Sequence, residues 1–233
     1  RYAGHWLPIS CGAAIAYLRS HASLEGDLGI VKPTIMLVVP RFLDAMRDRV
    51  QDSVRKQSGL KQKLFGMMVS QGGKRAKGGF APFAPILDKV VATKIRERMG
   101  GRLRVFVSGG AALPAHLYEF WAAFGLKILQ GYGLTETCAG SCLNPFDGPT
   151  KYWTVGPPIP GVEVEIADDG EILIKGPTLM DGYFKLPDDT AAVIDKEGWF
   201  HTGDIGEWDG ECVKITDRKK DLLVLKKKKN VAP

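Results

Sequence analysis

The sequence predicts an α/β fold in which a parallel-sheet part is followed by a small antiparallel β part. Over residues 33–130, short apolar runs alternate with helical patterns, which is typical of a parallel sheet with right-handed helical crossovers. After about residue 149, glycine and proline become dense and short segments alternate apolar and charged residues, the pattern of half-exposed antiparallel strands. The composition, with 45% apolar and 25% charged residues among 233, is that of an ordinary globular protein.

The first elements can be justified in chain order. Residues 6–18 are rich in alanine and small residues, and we expect a buried helix there. Residues 33–39 (PTIMLVV) form a short β-branched run, which predicts a buried parallel strand. Pro40 suits the first turn of a helix, and apolar residues continue at helical spacing to about residue 57. The remaining predicted elements of this part are helices at 85–99 (ended by Gly100 and Gly101) and 114–124, and strands at 102–107 and 126–130.

The segment 53–87 carries seven basic residues and no acidic one. Two glycine pairs, at 72–73 and 78–79, are expected to break it into flexible pieces. It is interpreted as a solvated, mobile surface insertion. The alternative is contact with anionic lipid or with a nucleotide phosphate.

The second part of the chain reads as antiparallel strands. Residues 162–166 (VEVEI) and 171–175 (EILIK) flank an Asp-Asp-Gly turn, which predicts a hairpin. Residues 211–216 alternate again and predict a further strand. We therefore predict an α/β part at residues 1–149, a β-barrel-like part at 150–216, and a linker at 217–233.

Functional residue types cluster after two of the predicted strands, at residues 108–110 and 131–137 (GYGLTET). Glycines allow a backbone to approach a ligand closely, and hydroxyls and a carboxylate suit phosphate oxygens and a hard cation such as Mg²⁺. In a parallel α/β sheet, ligands bind beyond the carboxyl ends of the strands. This placement independently predicts a site.

These segments also carry a family resemblance. Residues 131–137 resemble the adenylate-forming motif of the acyl-CoA synthetase, luciferase and adenylation-domain superfamily. Three more segments resemble this family in the same order, and the similarity runs from about residue 6 to the end. The segments at 38–42 (VVPRF) and 229–233 (KNVAP) are similar in sequence to the long-chain fatty-acid branch of this family. The three further segments are 108–114 (SGGAALP), 198–204 (GWFHTGD) and 217–221 (DRKKD).

The resemblance implies an acid–thiol ligase that joins a fatty acid to coenzyme A. ATP and the fatty acid would form an acyl-adenylate and pyrophosphate, with Mg²⁺ as the metal, and coenzyme A would then take the acyl group. By resemblance, Gly109, Gly110 and Ala111 form a flat wall for adenine. An ordinary strand-to-helix turn is the alternative for that segment.

The other site residues implied by the resemblance follow the third strand. Tyr132, between Gly131 and Gly133, would stack on the other face of adenine; the alternative is a core tyrosine. Thr135 would bind a phosphate oxygen, or cap a helix instead. Glu136 would ligate Mg²⁺.

Two residues are implied for ribose recognition. Asp204 would accept hydrogen bonds from both ribose hydroxyls, since both oxygens of a carboxylate are acceptors. Arg218 would contact the ribose or a phosphate, and the alternative is a surface salt bridge with Asp217 or Asp221.

The end of the chain resembles the family's hinge, at residues 219–221. Lys226–Lys229 stand where relatives have small residues and glycines, and we interpret them as a solvated tail. No Ser/Thr/Gly-rich phosphate loop and no C-terminal domain are recognised, so we expect an internal fragment that binds adenosine and Mg²⁺ but is inactive, or nearly so, alone. The alternatives are a non-catalytic nucleotide-binding relic and an adenylation domain that acts on a carrier protein.

Charge and cysteine content limit the remaining classes. A net charge of +6 allows anionic partners, but no RNA-recognition or zinc-finger motif supports nucleic-acid binding. Four scattered cysteines are too few for a disulfide scaffold, and no apolar run reaches the roughly 18 residues of a membrane span. We predict a cytoplasmic protein, with a peripheral position at an anionic membrane as an alternative, and no particular oligomeric state.

Overall fold

The computed structural model divides into two compact units. The first, called the α/β unit, is Gly4–Leu129, and the second, called the β unit, begins at Gln130. The predicted division at residue 149 stays a prediction, and the predicted hinge residues 220–221 and Lys226–Lys228 lie outside the described residues. The structure describes residues 2–20, 22–76, 78–148, 150–219, 223–225 and 229–231.

Parallel strand pairing is present in the α/β unit, as predicted. Strand β1 (Ile35–Val38) pairs with β2 (Val105–Ser108) in register from Ile35↔Val105 to Val38↔Ser108. Strand β3 (Lys127–Tyr132) begins in this unit and ends in the next. The prediction that β1 is buried is wrong, since Ile35 is 57% exposed. Within the described sheet β1 has a neighbour on one side only, so its apolar residues are those of an edge strand.

The predicted helices at 40–57, 85–99 and 114–124 are confirmed. The second of these contains a π-helical turn, Asp88–Ala92, and ends at Gly100, where φ is +91°. None of the described helices is long and apolar enough to cross a bilayer. Helices of the α/β unit are α1 (Leu7–Ser10), α2 (Leu24–Val31), α3 (Pro40–Arg55), α4 (Gly59–Ala76), α5 (Ala84–Leu87), α6 (Thr93–Arg98) and α7 (Ala115–Ala123).

The predicted buried helix at residues 6–18 is wrong. A π-helical turn (Tyr2–Trp6) leads into the single turn of α1, and Gly12, with φ +67°, follows its end. Trp6 is 60% exposed and Tyr17 is also exposed. Alanine-rich composition favours helix, but burial needs an apolar partner that composition does not reveal.

The predicted flexible insertion is also corrected, because α4 runs through the first glycine pair. Its apolar side packs on α7, and Phe65 lies 5.6 Å from Phe124 between ring centroids. A Cβ on Gly72 would lie 2.6 Å from the Cα of Ala123. Gly72 therefore allows two helices to approach closely, and the basic residues of α4 lie on its exposed side.

Aromatic side chains form the core of the α/β unit. Trp121 is fully buried, packs edge-on against Phe106 and Phe120, and donates its indole N–H to the Leu43 carbonyl at 3.3 Å. Leu43 lies on α3 and Trp121 on α7. This contact joins the two helices. Gly110 and Ala111, which follow β2, are exposed.

The β unit is built on a four-stranded antiparallel sheet, which confirms the antiparallel prediction. Its strands lie in the order β5 (Glu163–Ile166), β6 (Glu171–Lys175), β7 (Phe200–Asp209) and β8 (Cys212–Arg218). Strand β4 (Cys142–Leu143) pairs with the end of β3 through Tyr132↔Cys142. Residues 156–158 bridge β8 and β4 through Gly156↔Val213 and Pro158↔Cys142, which curls the unit into a half-barrel. Its strands and helix are β4 (Cys142–Leu143), β5 (Glu163–Ile166), β6 (Glu171–Lys175), α8 (Pro187–Val193), β7 (Phe200–Asp209), β8 (Cys212–Arg218), β9 (Leu223–Leu225) and β10 (Lys229–Val231), the last two forming an antiparallel pair.

The close approach of α4 and α7 can be tested by substitution in this chain. Gly72→Ala is expected to lower the free energy of unfolding by about 1–3 kcal/mol, since a methyl group there would overpack against the backbone of α7. The matched control is Gly73→Ala on the same helix, where an added Cβ would meet nothing within 4 Å. That variant is expected to gain up to about 1 kcal/mol from helix propensity. Urea unfolding followed by circular dichroism measures both, and equal effects would contradict the packing argument.

Candidate functional site

The β unit contains a buried carboxylate with two side-chain partners. Tyr132, the last residue of β3, donates its hydroxyl hydrogen to Asp204 Oδ2 at 2.7 Å. Arg218 Nε lies 3.2 Å from Asp204 Oδ1, and the two residues face each other in the β7–β8 pair. Asp204 is 5% exposed, so three residues that are far apart in the sequence meet at one partly enclosed charge.

The Tyr132 ring is held by its surroundings. It is 9% exposed and belongs to the apolar cluster that also contains Cys142, Val162 and Ile174. Burial raises the pKa of the Tyr132 hydroxyl above its ordinary value. The hydroxyl therefore remains a hydrogen-bond donor to Asp204 at neutral pH, while stacking of this ring on adenine stays a prediction.

Asp204 keeps acceptor capacity beyond these contacts. An ionised carboxylate offers about four lone-pair positions on two oxygens. Tyr132 and Arg218 each approach one oxygen, while the backbone N–H of Asp204 donates to Thr202 Oγ1 at 3.1 Å. Arg218 is exposed apart from this contact, so its guanidinium can reach a polar ligand beside the carboxylate.

A tight loop follows Tyr132 and brings the polar residues of the motif together. Ser141 N–H donates to the Tyr132 carbonyl at 2.7 Å, and Ala139 N–H donates to the Leu134 carbonyl at 2.9 Å. A Cβ on Gly133 would lie 2.3 Å from the Ala139 carbonyl oxygen. The closure of this loop thus requires glycine at 133, whether or not a ligand approaches it.

Thr135 and Glu136 lie on one 3₁₀ turn, Thr135–Thr137. The hydroxyl that bonds the backbone of the turn belongs to Thr137, whose Oγ1 accepts the Leu134 N–H at 2.9 Å. Thr135 is exposed and, among the described residues, its side chain has no hydrogen-bond partner. Its hydroxyl is therefore available to a ligand, and capping by Thr135 is not what the turn uses.

Tyr183 is a further candidate site residue, which the sequence motifs do not predict. Its hydroxyl donates to Glu136 Oε1 at 3.0 Å, and this bond raises the pKa of Tyr183. Met180 N–H donates to the Glu136 backbone carbonyl at 2.8 Å. The segment that carries Met180 and Tyr183 is therefore hydrogen-bonded at two points to the 3₁₀ turn at Thr135–Thr137. The available signal was the adjacent Gly182, which has φ +151° and lies against Thr190 of α8.

The predicted adenine-wall residues lie in the α/β unit, directly after β2. Gly109 N–H donates to the Val38 carbonyl at 3.3 Å, and Gly110 has φ +79°. A Cβ on Gly110 would meet only Val39, at 4.0 Å, and Ala111 is exposed. The backbone here is open to a flat ligand, and Ser108 before it is fully buried.

Solved structures with the same fold are adenylate-forming enzymes. The ATP-bound structure of MatB from Rhodopseudomonas palustris matches with a TM-score of 0.70 at 26% identity, over 97% of this chain and 39% of that chain. A fatty acyl CoA synthetase from Mycobacterium tuberculosis matches with a TM-score of 0.61 at 27% identity, over 95% of this chain and 38% of that one. The fold thus places the chain among proteins of the adenylate-forming class.

The sequence comparisons give the family. Residues 2–184 match the model of the AMP-binding enzyme family, and the chain belongs to that family, as the motifs predicted. It is 38% identical to long chain acyl-CoA synthetase 4 of Arabidopsis thaliana over 96% of its length and 36% of the relative. It is 34% identical to long-chain-fatty-acid–CoA ligase 5 of Mus musculus, over 96% of its length and 34% of the relative. The chain thus spans about a third of the curated relatives it matches.

The buried Tyr132–Asp204 hydrogen bond is expected to stabilise the β unit. Tyr132→Phe should lower the free energy of unfolding by about 1–3 kcal/mol, because it removes a donor from a buried charged acceptor. The matched control is Tyr183→Phe, where water can replace the lost hydroxyl at the partly exposed Glu136, and about 0–1 kcal/mol is expected. Urea unfolding measures both losses, and a control that loses as much as Tyr132→Phe would refute the role of burial.

Proposed function

We propose that this chain supplies the adenosine- and Mg²⁺-binding part of an ATP-dependent long-chain fatty-acid–CoA ligase. In the first half-reaction a carboxylate oxygen of the fatty acid attacks the α-phosphorus of ATP, and pyrophosphate leaves. In the second, the thiol of coenzyme A attacks the acyl carbonyl carbon, and AMP leaves. Family membership and the names of the relatives support this class of reaction.

The observation that carries the proposal is the carboxylate of Asp204 with Tyr132 and Arg218 around it. The Asp204 carboxylate is 5% exposed, and burying a charge is costly unless a protein group or a ligand compensates it. Here both oxygens have protein donors yet keep acceptor capacity. This geometry suits a vicinal diol, so the two ribose hydroxyls of ATP are the proposed ligands of Asp204, and Arg218 the neighbouring donor to ribose or phosphate.

Glu136 fits a magnesium ligand. Its Oε1 accepts one hydrogen bond, from Tyr183, and the side chain is only partly buried. Among the described residues no cluster of three or more acidic, histidine or cysteine side chains could hold a metal. Mg²⁺ fits this setting because it is commonly bound by one or two carboxylates together with substrate phosphates and water.

The protein groups would act mainly by positioning and by electrostatics. Thr135 would donate its exposed hydroxyl to a phosphate oxygen, and the backbone of Gly109, Gly110 and Ala111 would lie against adenine, with Tyr132 proposed for its other face. When bound, Mg²⁺ supplies positive charge to the phosphate oxygens. Such fixed charges and donors can stabilise a phosphoryl-transfer transition state without any covalent step on the protein.

Long-chain acids are the proposed substrates because the similar relatives in Arabidopsis thaliana and Mus musculus carry that description.

We expect the 233-residue chain to be inactive, or nearly so, when isolated. Contact of the basic residues of segment 53–87 with an anionic membrane remains a proposal, as does a cytoplasmic location. The relic and carrier-protein alternatives are less favoured, because the sequence keeps Thr135, Glu136, Asp204 and Arg218 at the motif positions and the similar relatives are described as acyl-CoA synthetases and CoA ligases.

Glu136 provides a first test, in the full-length protein that carries this sequence. Glu136→Ala is expected to reduce the adenylation rate roughly 100-fold, the scale of loss when a group that stabilises the transition state is removed. The assay is fatty-acid-dependent exchange of pyrophosphate into ATP, measured across Mg²⁺ concentrations. Glu165→Ala is the control, since Glu165 is an exposed residue on β5. Exchange at the wild-type rate in Glu136→Ala would refute the metal assignment.

The identity of the thiol acceptor provides a second test in the same protein. With a long-chain fatty acid and ATP present, free coenzyme A is expected to be acylated, and a carrier-protein phosphopantetheine thiol is not. Mass spectrometry of both acceptors measures the products. Acylation of the carrier alone would favour the adenylation-domain alternative, and acylation of neither, with no adenylate formed, would favour the relic.

A further inference from the structure

A second buried carboxylate, Glu171, lies behind the proposed ribose site. It is the first residue of β6, and its side chain is 6% exposed. Glu171 Oε2 lies 2.8 Å from Lys219 Nζ and 3.2 Å from His201 Nδ1, while Oε1 accepts the Gly203 N–H at 2.8 Å. One side chain therefore connects β6, β7 and the residue that follows β8.

The contacts of Glu171 flank the residues proposed to bind ribose. Gly203 directly precedes Asp204, and Lys219 directly follows Arg218. Lys219 N–H also donates to the Gly203 carbonyl at 2.8 Å. Glu171 thus binds one neighbour of each member of the Asp204–Arg218 pair, whose side chains meet at 3.2 Å.

The β7–β8 ladder alone holds this end of the sheet weakly. Its register shifts between Ile205 and Gly206, so that only Asp204↔Arg218 and Ile205↔Asp217 lie beyond the irregularity. Gly203 has φ +73°, which turns the chain just before Asp204. Such bulges commonly re-aim side chains near functional sites, and here the re-aimed segment is secured by Glu171 and by Thr202 Oγ1, which donates to the Ile172 carbonyl at 2.7 Å.

Charge compensation keeps Glu171 ionised in this buried position. Burial acts to raise the pKa of Glu171, but hydrogen bonds from Lys219, Gly203 and His201 outweigh it and hold the pKa below its ordinary value. Lys219 is shared with Asp169, at 2.7 Å, and His201 Nε2 faces Asp195 Oδ2 at 3.5 Å. At neutral pH Glu171 therefore keeps the negative charge that binds both the Gly203 N–H and the Lys219 ammonium group.

We propose that Glu171 is a positioning residue for ribose recognition, which acts by holding Gly203 and Lys219 so that Asp204 and Arg218 face the two ribose hydroxyls. This inference rests on the proposed function of Asp204. It predicts that loss of Glu171 weakens the preference for a complete ribose, because a carboxylate displaced by a fraction of an ångström no longer meets both hydroxyls.

The test compares kcat/KM for ATP with kcat/KM for 2′-deoxy-ATP and 3′-deoxy-ATP, in the full-length protein that carries this sequence. Glu171→Ala is expected to reduce the preference for ATP about 10- to 100-fold, the scale of loss that a small misplacement produces. Glu171→Gln keeps an acceptor for Gly203 but not the charge opposite Lys219, so a smaller loss is expected. A variant that is only partly folded lowers all three rates together and leaves their ratios unchanged.

The control is a second ion pair between β7 and β8, the two strands that carry Asp204 and Arg218. Glu207 of β7 and Lys214 of β8 lie 2.7 Å apart on the surface, and Glu207→Ala is expected to keep the wild-type preference. If Glu171→Ala does not fold, Lys219→Met provides the measurement, because Lys219 is 45% exposed and its loss disturbs packing less. That variant is expected to lose preference in the same direction.

Asp204→Asn separates failure of this inference from failure of the proposed function. A reduced preference in Asp204→Asn together with wild-type ratios in folded Glu171→Gln and Lys219→Met would overturn the positioning role. Wild-type ratios in Asp204→Asn would overturn the ribose assignment itself, and the inference with it. Reduced preference in the Asp204, Glu171 and Lys219 variants, with Glu207→Ala unchanged, supports both.

Discussion

The desolvated charge of Asp204 is the constraint on which the β unit depends. A buried carboxylate must be given donors, because leaving one unpaired costs several kcal/mol. Those donors come from two strands that are far apart in the sequence, Tyr132 on β3 and Arg218 on β8. The β3 strand must therefore end against the antiparallel sheet, and β7 must turn its Asp204 inward, which Gly203 and Glu171 make possible. The contacts that surround Asp204 therefore also hold the strands of this unit together.

Glycine in this protein frequently marks close backbone contact, which explains one error in predicting the fold. The sequence pattern at residues 72–73 predicts a flexible break, yet Gly72 lies where α4 packs closely on α7. Gly133 meets the Ala139 carbonyl, and a Cβ on Gly156 would lie 2.2 Å from the Leu143 backbone. In each case the partner is distant in sequence or brought near by a loop, so the local pattern cannot show whether a glycine loosens the chain or tightens it.

The alternation of apolar runs and helical patterns predicted most of the elements correctly, because periodicity records which face of an element is buried. It failed at residues 6–18 and at β1, where apolar residues are exposed. For the site, the motifs named Tyr132 and Asp204 separately. Their hydrogen bond spans 72 positions, and the contacts of Tyr183 and Glu171 likewise link distant strands and turns. Such pairings arise from tertiary structure, and no single stretch of sequence carries them.

The edge position of β1 has a consequence for handling this polypeptide. Within the described sheet its far side offers unpaired backbone groups beside exposed Ile35 and Leu37. A strand of that kind is a template for strand addition from another molecule. Purified material should therefore associate through this edge as concentration rises, and a charged residue in place of Ile35 would suppress the association.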